Sequence, residues 1–223
     1  MNVKLISYSQ PSHECEQENS MHSINDLVAF CARVSNPANQ QNPENDKLIK
    51  YLIRHKHWSP LEMVSMTLEI ETTRDIARQI LRHRSFSFQE FSQRYADPTK
   101  DLNFVVREAR LQDPTNRQNS ISDGVSSELT IAWLKKQAEI INIAKDAYEW
   151  AISNGIAKEQ ARAVLPEGLT MSRMYMSGTL RSWIHYIQLR SENGTQKEHM
   201  EIAKECAKVI SKIFPLTKDM VSA

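Results

Sequence analysis

The stretch Val64-Ser-Met-Thr-Leu-Glu-Ile-Glu71 alternates without a break, apolar at 64, 66, 68 and 70 and polar at 65, 67, 69 and 71. Successive strand side chains point to opposite faces, so this pattern demands a sheet with one buried face and one wet face. The period then changes within a few residues. Thr73 stands where a helix cap belongs, Asp75 falls in the first turn, and Ile76 with Ile80 and Ala77 with Leu81 form ridges at i, i+4. A one-faced strand feeding directly into a helix predicts an α+β (α/β) layer rather than a helical bundle.

The remaining elements are read around that pair. Val3–Tyr8 is a weakly alternating strand, and polar Gln10–Ser23, with Pro11, reads as loop. Ile24–Val34 is a helix with Leu27, Phe30, Cys31 and Val34 on one face, and Asn45–His55 is a second helix. Phe104–Val106 is a short strand, and Gln112–Gly124 reads as a mobile loop. Ser126 or Ser127 caps a long helix whose stripe runs Leu134, Ala138, Ile141, Ala144, Tyr148, Ile152 and which stops at Asn154-Gly155. Glu159–Val164 is a short helix before Pro166, and Leu169–Ser177 a strand. Leu180, Trp183, Ile184 and Ile187 mark another helix, and Ile202, Cys206, Val209, Ile210 and Ile213 the last. There is no repeat and no domain boundary, so residues 1–223 are read as a single domain.

At 223 residues the chain buries a core without disulfide or metal staples. Lys plus Arg number 28 against 27 Asp plus Glu, a net charge of +1, which argues against a nucleic-acid coat or a basic membrane-surface protein. No apolar run approaches the ~18 residues of a membrane span, and the first residues are too short an apolar stretch for a signal peptide. Cys15, Cys31 and Cys206 have neither disulfide nor zinc spacing. The expectation is a cytoplasmic protein.

Charge is nevertheless distributed unevenly. Between residues 57 and 99 there are five arginines, at 74, 78, 82, 84 and 94, and no lysine. Arginine offers a planar fork that grips phosphate or carboxylate bidentately, whereas lysine is a flexible point charge. Arginine-only usage beside the Ser85, Ser87 and Ser92 hydroxyls suits an oriented phosphate ester. Arg74, Arg78 and Arg82, spaced by four, are read equally well as a solvated helix face. That bland reading leaves His83, Glu90, Ser92 and Arg94 unexplained.

Arg82-His83-Arg84, seven residues, Ser92, one residue, then Arg94 resembles the signature of the flavin-dependent thymidylate synthases. Four further segments resemble that family in the same order: His57-Trp-Ser59-Pro60-Leu-Glu62, Ala77-Arg78-Gln79, Gln160-Ala-Arg162-Ala-Val-Leu-Pro166 and Leu180–Arg190, with Gln196 and Glu198 extending the match. Met63 and Gly194 depart from it, standing where the family often has histidine, and His185 is asparagine in some members.

The resemblance implies methylation of dUMP to dTMP, with methylenetetrahydrofolate as one-carbon donor, NADPH as reductant and FAD as bound cofactor. It implies a mainly antiparallel sheet flanked by helices, a homotetramer, and sites where subunits meet. By position, Gln79, Arg82, Glu90, Ser92, Arg94 and Arg162 would hold dUMP, largely through its phosphate. His57, Ser59, Arg82, His83, Arg84, Glu90, Thr179 and His185 would contact FAD. Arg190 would face the pyrimidine as the catalytic cation.

Other residues read as structure. His55 and His57 lack a third ligand at a telling spacing, so no metal site is expected. Ser92 has no Ser-His-acid partners. Cys206 lies on an apolar stripe, Lys204, Lys208 and Lys212 on a solvated face, and Trp58 and Tyr95 flank the motifs. The competing class is a single-strand binder using Arg84-Ser-Phe-Ser-Phe88, which the near-neutral charge disfavours.

Overall fold

A computed structural model describes residues 2–220. In chain order the elements are β1 (Asn2–Tyr8), α1 (His13–Asn19), α2 (Ile24–Ala32), α3 (Asn45–Arg54), β2 (Ser65–Thr73), α4 (Arg74–Ile80), β3 (Ser87–Glu90), α5 (Pro98–Asp101), β4 (Leu111–Gln112), β5 (Ser120–Ile121), α6 (Ser127–Ser153), α7 (Lys158–Ala161), β6 (Met171–Thr179), α8 (Leu180–Ser191) and α9 (Lys197–Ile210). The main sheet is antiparallel in the order β1-β2-β6-β3, and β4 and β5 form a separate two-stranded ribbon.

The alternation in β2 does what it predicts. Met66, Leu68 and Ile70 are buried, and across the ladder Leu68 faces Met176 and Ile70 faces Met174. Trp183, Ile184, Ile187, Ile202, Cys206 and Ile210 of α8 and α9 fill the space beneath them. The other face is polar: Thr67 Oγ1 donates to Ser177 Oγ at 3.0 Å and Arg173 Nε to Glu71 Oε1 at 2.8 Å. One close approach requires glycine. A Cβ on Gly178 would lie 2.5 Å from Phe86 Cδ1, so the ring rests on bare backbone while its edge meets Trp183 at 4.8 Å.

Strands β2 and β6 each turn directly into a helix, α4 and α8, at opposite ends of their shared ladder, where Thr73 pairs with Met171 and Ser65 with Thr179. Thr179 caps α8, its hydroxyl accepting from Ser182 N. Thr73 holds the equivalent place before α4 but makes no side-chain cap. Its hydroxyl donates instead to Asp75 Oδ1 at 2.6 Å and accepts from Arg107 Nη2 at 2.7 Å.

Several expectations are corrected. Residues 10–23 are not all loop, because α1 forms there, capped by Ser12 with Glu14 and Glu16 in its first turn, without burying any residue. Phe104–Val106 is no strand of its own; Phe104 makes a single bridge to Thr170. The 112–124 segment closes as the β4–β5 ribbon, with the Asp113 carboxylate accepting from Thr115 N, Thr115 Oγ1, Asn116 N and Asn119 Nδ2. Residues 87–90, to which the sequence pattern assigns no element, pair with β6. In α2 the buried residues are Ile24, Val28 and Ala29, while Val34 lies beyond the helix end and is exposed. The stripe of α6 is buried only at Ala144 and Tyr148; Leu134 is exposed, and buried Gln137 exchanges two hydrogen bonds with the Arg107 backbone.

Candidate active site

The expected site residues fall into three groups, two of them along α8. The first lies at its start. His57 and Ser59 are exposed on the turn before β2, and Arg181 pairs with Glu62 of that turn. Trp58 meets the ring of His185 edge-on at 4.5 Å. Burial, then the Arg181 charge, lower the His185 pKa. Thr179 belongs here too, as the α8 cap.

The second group lies at the other end of α8. Arg190 Nε donates to His83 Nε2 at 3.0 Å, and the His83 ring stands edge-on to Tyr186 at 4.9 Å. An arginine can only donate, so His83 accepts as a neutral imidazole. Burial, then the Arg190 and Arg82 charges, bring its pKa down to about 4. Beside it His199 is wholly buried, its pKa lowered to about 3 by burial, then Arg190 and His83. His199 contacts Tyr186 Oη and Gln79 Oε1, each at 3.2 Å, and Gln79 Nε2 donates to Gln196 Oε1 at 2.8 Å. Arg82 and Arg84 are exposed and have no ion-pair partner among the described residues.

The third group sits by α7. Arg94 Nε lies 3.4 Å from Glu159 Oε2, and Arg162 Nε donates to the Glu159 carbonyl at 3.3 Å. Ser92 Oγ accepts from Arg94 N at 3.3 Å, and Lys158 Nζ donates to the Tyr95 carbonyl. Glu90, in β3, instead accepts from Ser172 Oγ at 2.8 Å and lies 3.6 Å from Arg74 Nη1. No hydrogen bond or ion pair among the described residues joins this corner to the His83–Arg190 pair.

The three arginines spaced by four, two in α4 and Arg82 just beyond its end, therefore do not share one role. Arg74 is buried between Glu90 and Glu167, Arg78 lies on the surface against Glu167 at 3.1 Å, and Arg82 is open. Burial, the strongest influence, lowers the Arg74 pKa while Glu90 opposes it.

Comparison with known proteins shows the family. Residues 18–216 match the family described as thymidylate synthase complementing protein. A flavin-dependent thymidylate synthase of Synechocystis sp. is 50% identical over 216 residues, covering 96% of both chains. The chain belongs to the flavin-dependent thymidylate synthase family. A probable flavin-dependent thymidylate synthase of Paramecium bursaria Chlorella virus 1 is 47% identical over 216 residues, again 96% of both chains. Among solved structures, the UMP/dUMP methylase PolB from Streptomyces cacaoi bound with 5-Br UMP superposes with a TM-score of 0.80 at 26% identity, covering 98% of this chain and 92% of that one.

Within this family member, three residues escaped the sequence reading: Tyr186, His199 and Arg110, which pairs with Glu198. For Tyr186 and His199 the signal was a polar residue on an apolar helical stripe, whereas Arg110 lies outside any helix and carried none. Tyr186 is three positions from Trp183, and His199 three before Ile202. Buried polar groups of that kind need partners. Among the described residues no group of three or more His, Cys, Asp and Glu is placed to hold a metal.

Proposed function

We propose that this chain methylates dUMP to dTMP, taking the one-carbon unit from methylenetetrahydrofolate and electrons from NADPH through bound FAD. The observation that carries the reading is the Arg190–His83 hydrogen bond, which unites the signature segment with a residue 107 positions further on. His83 occupies Arg190 Nε and fixes the roll of its guanidinium. The terminal nitrogens have no acceptor among the described residues and are left for a ligand. Carbon 5 of uracil is a poor nucleophile, and a permanent cation held against the ring stabilises the enolate-like charge that develops. PolB is a UMP/dUMP methylase, which supports the same pyrimidine nucleotide as substrate here.

The residues present fit FAD. Arg82 and Arg84 are open and, among the described residues, without carboxylate partners, as a diphosphate requires, and His57, Ser59, Thr179 and His185 lie about the start of α8. FAD, when bound, would supply the hydride chemistry. Gln79, Arg82, Glu90, Ser92, Arg94, Arg162 and Arg190 are proposed to hold dUMP, with Glu90 also proposed to contact FAD. No cysteine is assigned a role: Cys206 is buried in the core and burial pushes its thiol well above the usual range.

A homotetramer whose subunits share sites is part of the proposal. Leu129, Trp133, Ile140, Ile143 and Trp150 of α6 are exposed along one side of the helix, Ile143 at 69% and Trp150 at 63%. An apolar face of that kind is a mark of a protein interface. The corner at Glu159 and the His83–Arg190 pair, unlinked within one chain, would then meet across it. Among the described residues no helix is long and apolar enough to cross a membrane, and a cytoplasmic location without nucleic-acid partners is the accompanying reading. Release of tritium from dUMP labelled at carbon 5, coupled to dTMP formation, tests the activity. Its absence with FAD, NADPH and methylenetetrahydrofolate supplied would overturn it.

A further inference from the structure

Gln79 belongs to a hydrogen-bonded chain whose direction is dictated from one end. Glu198 is buried and pairs with Arg110, itself largely buried. A carboxylate held by a guanidinium is ionised and can only accept. Gln196 therefore turns its amide nitrogen to Glu198 Oε2, at 3.0 Å, and its oxygen to Gln79. Gln79 in turn directs its Nε2 to Gln196 and its Oε1 to His199 Nδ1. His199 then carries its proton on Nδ1, and its bare Nε2 accepts from the Tyr186 hydroxyl. One charge thus sets two amide orientations, a tautomer and a hydroxyl.

The consequence falls on Gln79. Its oxygen faces wholly buried His199, and its nitrogen, on the edge away from that ring, has spent one proton of two. We propose that Glu198 is a positioning residue which, through Gln196, makes Gln79 a hydrogen-bond donor to the pyrimidine and so favours uracil over cytosine. Arg190, across the same ring cluster, is also a pure donor. Two donors suit carbonyl oxygens and leave the exocyclic amino group of cytosine without an acceptor. This inference rests on the reading of dUMP as the ligand.

Glu198→Gln provides the test, because it keeps shape and changes polarity. The new amide would offer its oxygen to Arg110 and its nitrogen to Gln196. Gln196, Gln79 and His199 would then reverse in turn, leaving Gln79 to present an acceptor. Binding of dUMP and of dCMP to the FAD-loaded protein is measured by calorimetry. Glu198→Gln is expected to weaken dUMP by about 3- to 10-fold, one neutral hydrogen bond, and to narrow the dUMP-to-dCMP gap by at least as much. Glu198→Asp keeps the carboxylate and should keep the preference. Tyr186→Phe, at the far end, should keep it as well and remains informative if Glu198 variants fail to fold: loss of preference there would refute a direction set from Glu198. A gap unchanged in Glu198→Gln, or narrowed equally by Glu198→Asp, overturns the inference while leaving the site reading intact. Failure of the wild-type protein to bind dUMP overturns both.

Discussion

The two arginine clusters of the proposed site are built on opposite principles. At the end of α8, Arg190 is braced by a neutral histidine inside a nest of buried rings, with Tyr186 and His199 packed behind it. Near α7, Arg94 and Arg162 both hang from Glu159, one on its carboxylate and one on its carbonyl, at the surface. A half-buried cation held by a neutral acceptor keeps its full charge for a ligand. An exposed cation beside a carboxylate is half-neutralised until an anion displaces that carboxylate. The first arrangement suits stabilisation of charge that develops during reaction, and the second suits capture of a charge the ligand already carries.

The largest test of this contrast removes the braced cation. Arg190→Ala is expected to lower kcat at least ~10²-fold, the usual loss for one preorganised donor at a developing charge. Arg190→Lys keeps the charge but not the fork and should fall by a similar amount. Both variants should still bind FAD, because its contacts are assigned elsewhere. Near-normal turnover in Arg190→Ala would reduce Arg190 to a helix-end cation. Arg94→Ala and Arg162→Ala should instead raise KM for dUMP about 10- to 100-fold, the range of a lost charge-assisted hydrogen bond, with a smaller change in kcat. A kcat collapse with KM unchanged would assign the corner to chemistry rather than capture.

Whether the two clusters complete one site across subunits is checked by mixing. Arg190→Ala and Arg94→Ala, each inactive at low dUMP, are refolded together. Recovery of up to about a quarter of wild-type activity is expected if different chains supply the two arginines, a fraction set by random assembly. No recovery in verified mixed oligomers would place both in one chain's site. Likewise, mixing His57 and Arg190 variants asks whether the start and end of α8 serve the same ligand pair.

Acid separates the clusters by stability. His83 and His199 are held near 4 and 3 by burial and by Arg190, below the ordinary 6.5. Above pH 6.5 both states are neutral there and nothing is lost. As pH falls from 6.5 toward those values, the unfolded chain takes up protons that the folded one refuses, and stability declines. For His199 the slope is at most about 1.4 kcal/mol per pH unit, and for His83 less, because solvent screens it in part. Melting of the wild type at pH 7 and pH 5, against His199→Leu, checks this. An equal drop in both would exclude His199 as a source.

How much of this was legible in the sequence follows from the same contrast. Strand β2 and helices α4 and α8 were readable because each presents a periodic apolar face to one core. Strand β3 was not, since its four residues offer a single apolar side chain, Phe88, too few to show a period, and only the ladder to β6 makes them a strand. Helix α1 was missed because its signals, Ser12 and two early glutamates, are polar and bury nothing. Arg82, Arg84 and Arg94 stood out by type and spacing and Arg162 through the family resemblance alone, and their roles at a site are proposed. The division of labour among Arg74, Arg78 and Arg82 was not, because it depends on where Glu90 and Glu167 come to lie. The polar chain through Gln79, Gln196 and Glu198 was hidden for a related reason, as its members are joined across 117 positions and no local pattern links them.

The smallest effect expected is also the most discriminating for the surface cluster. Glu159 and Arg94 are both half-exposed or more, and such pairs contribute about 0.2–1 kcal/mol to folding. Glu159→Gln should therefore change stability by no more than that. Its effect on binding should have the opposite sign to most substitutions at a site. In the free protein Glu159 occupies Arg94 as a phosphate would, so a phosphate must displace it before binding. Replacing the carboxylate by an amide removes that competition and leaves the backbone carbonyl that holds Arg162. Glu159→Gln is expected to tighten dUMP by about 2- to 5-fold at low salt, with the gain fading as salt screens the exposed pair. Deoxyuridine, which lacks the phosphate, should show no gain. Weaker dUMP binding in Glu159→Gln would mean that Glu159 orients the arginines for the ligand rather than competing with it.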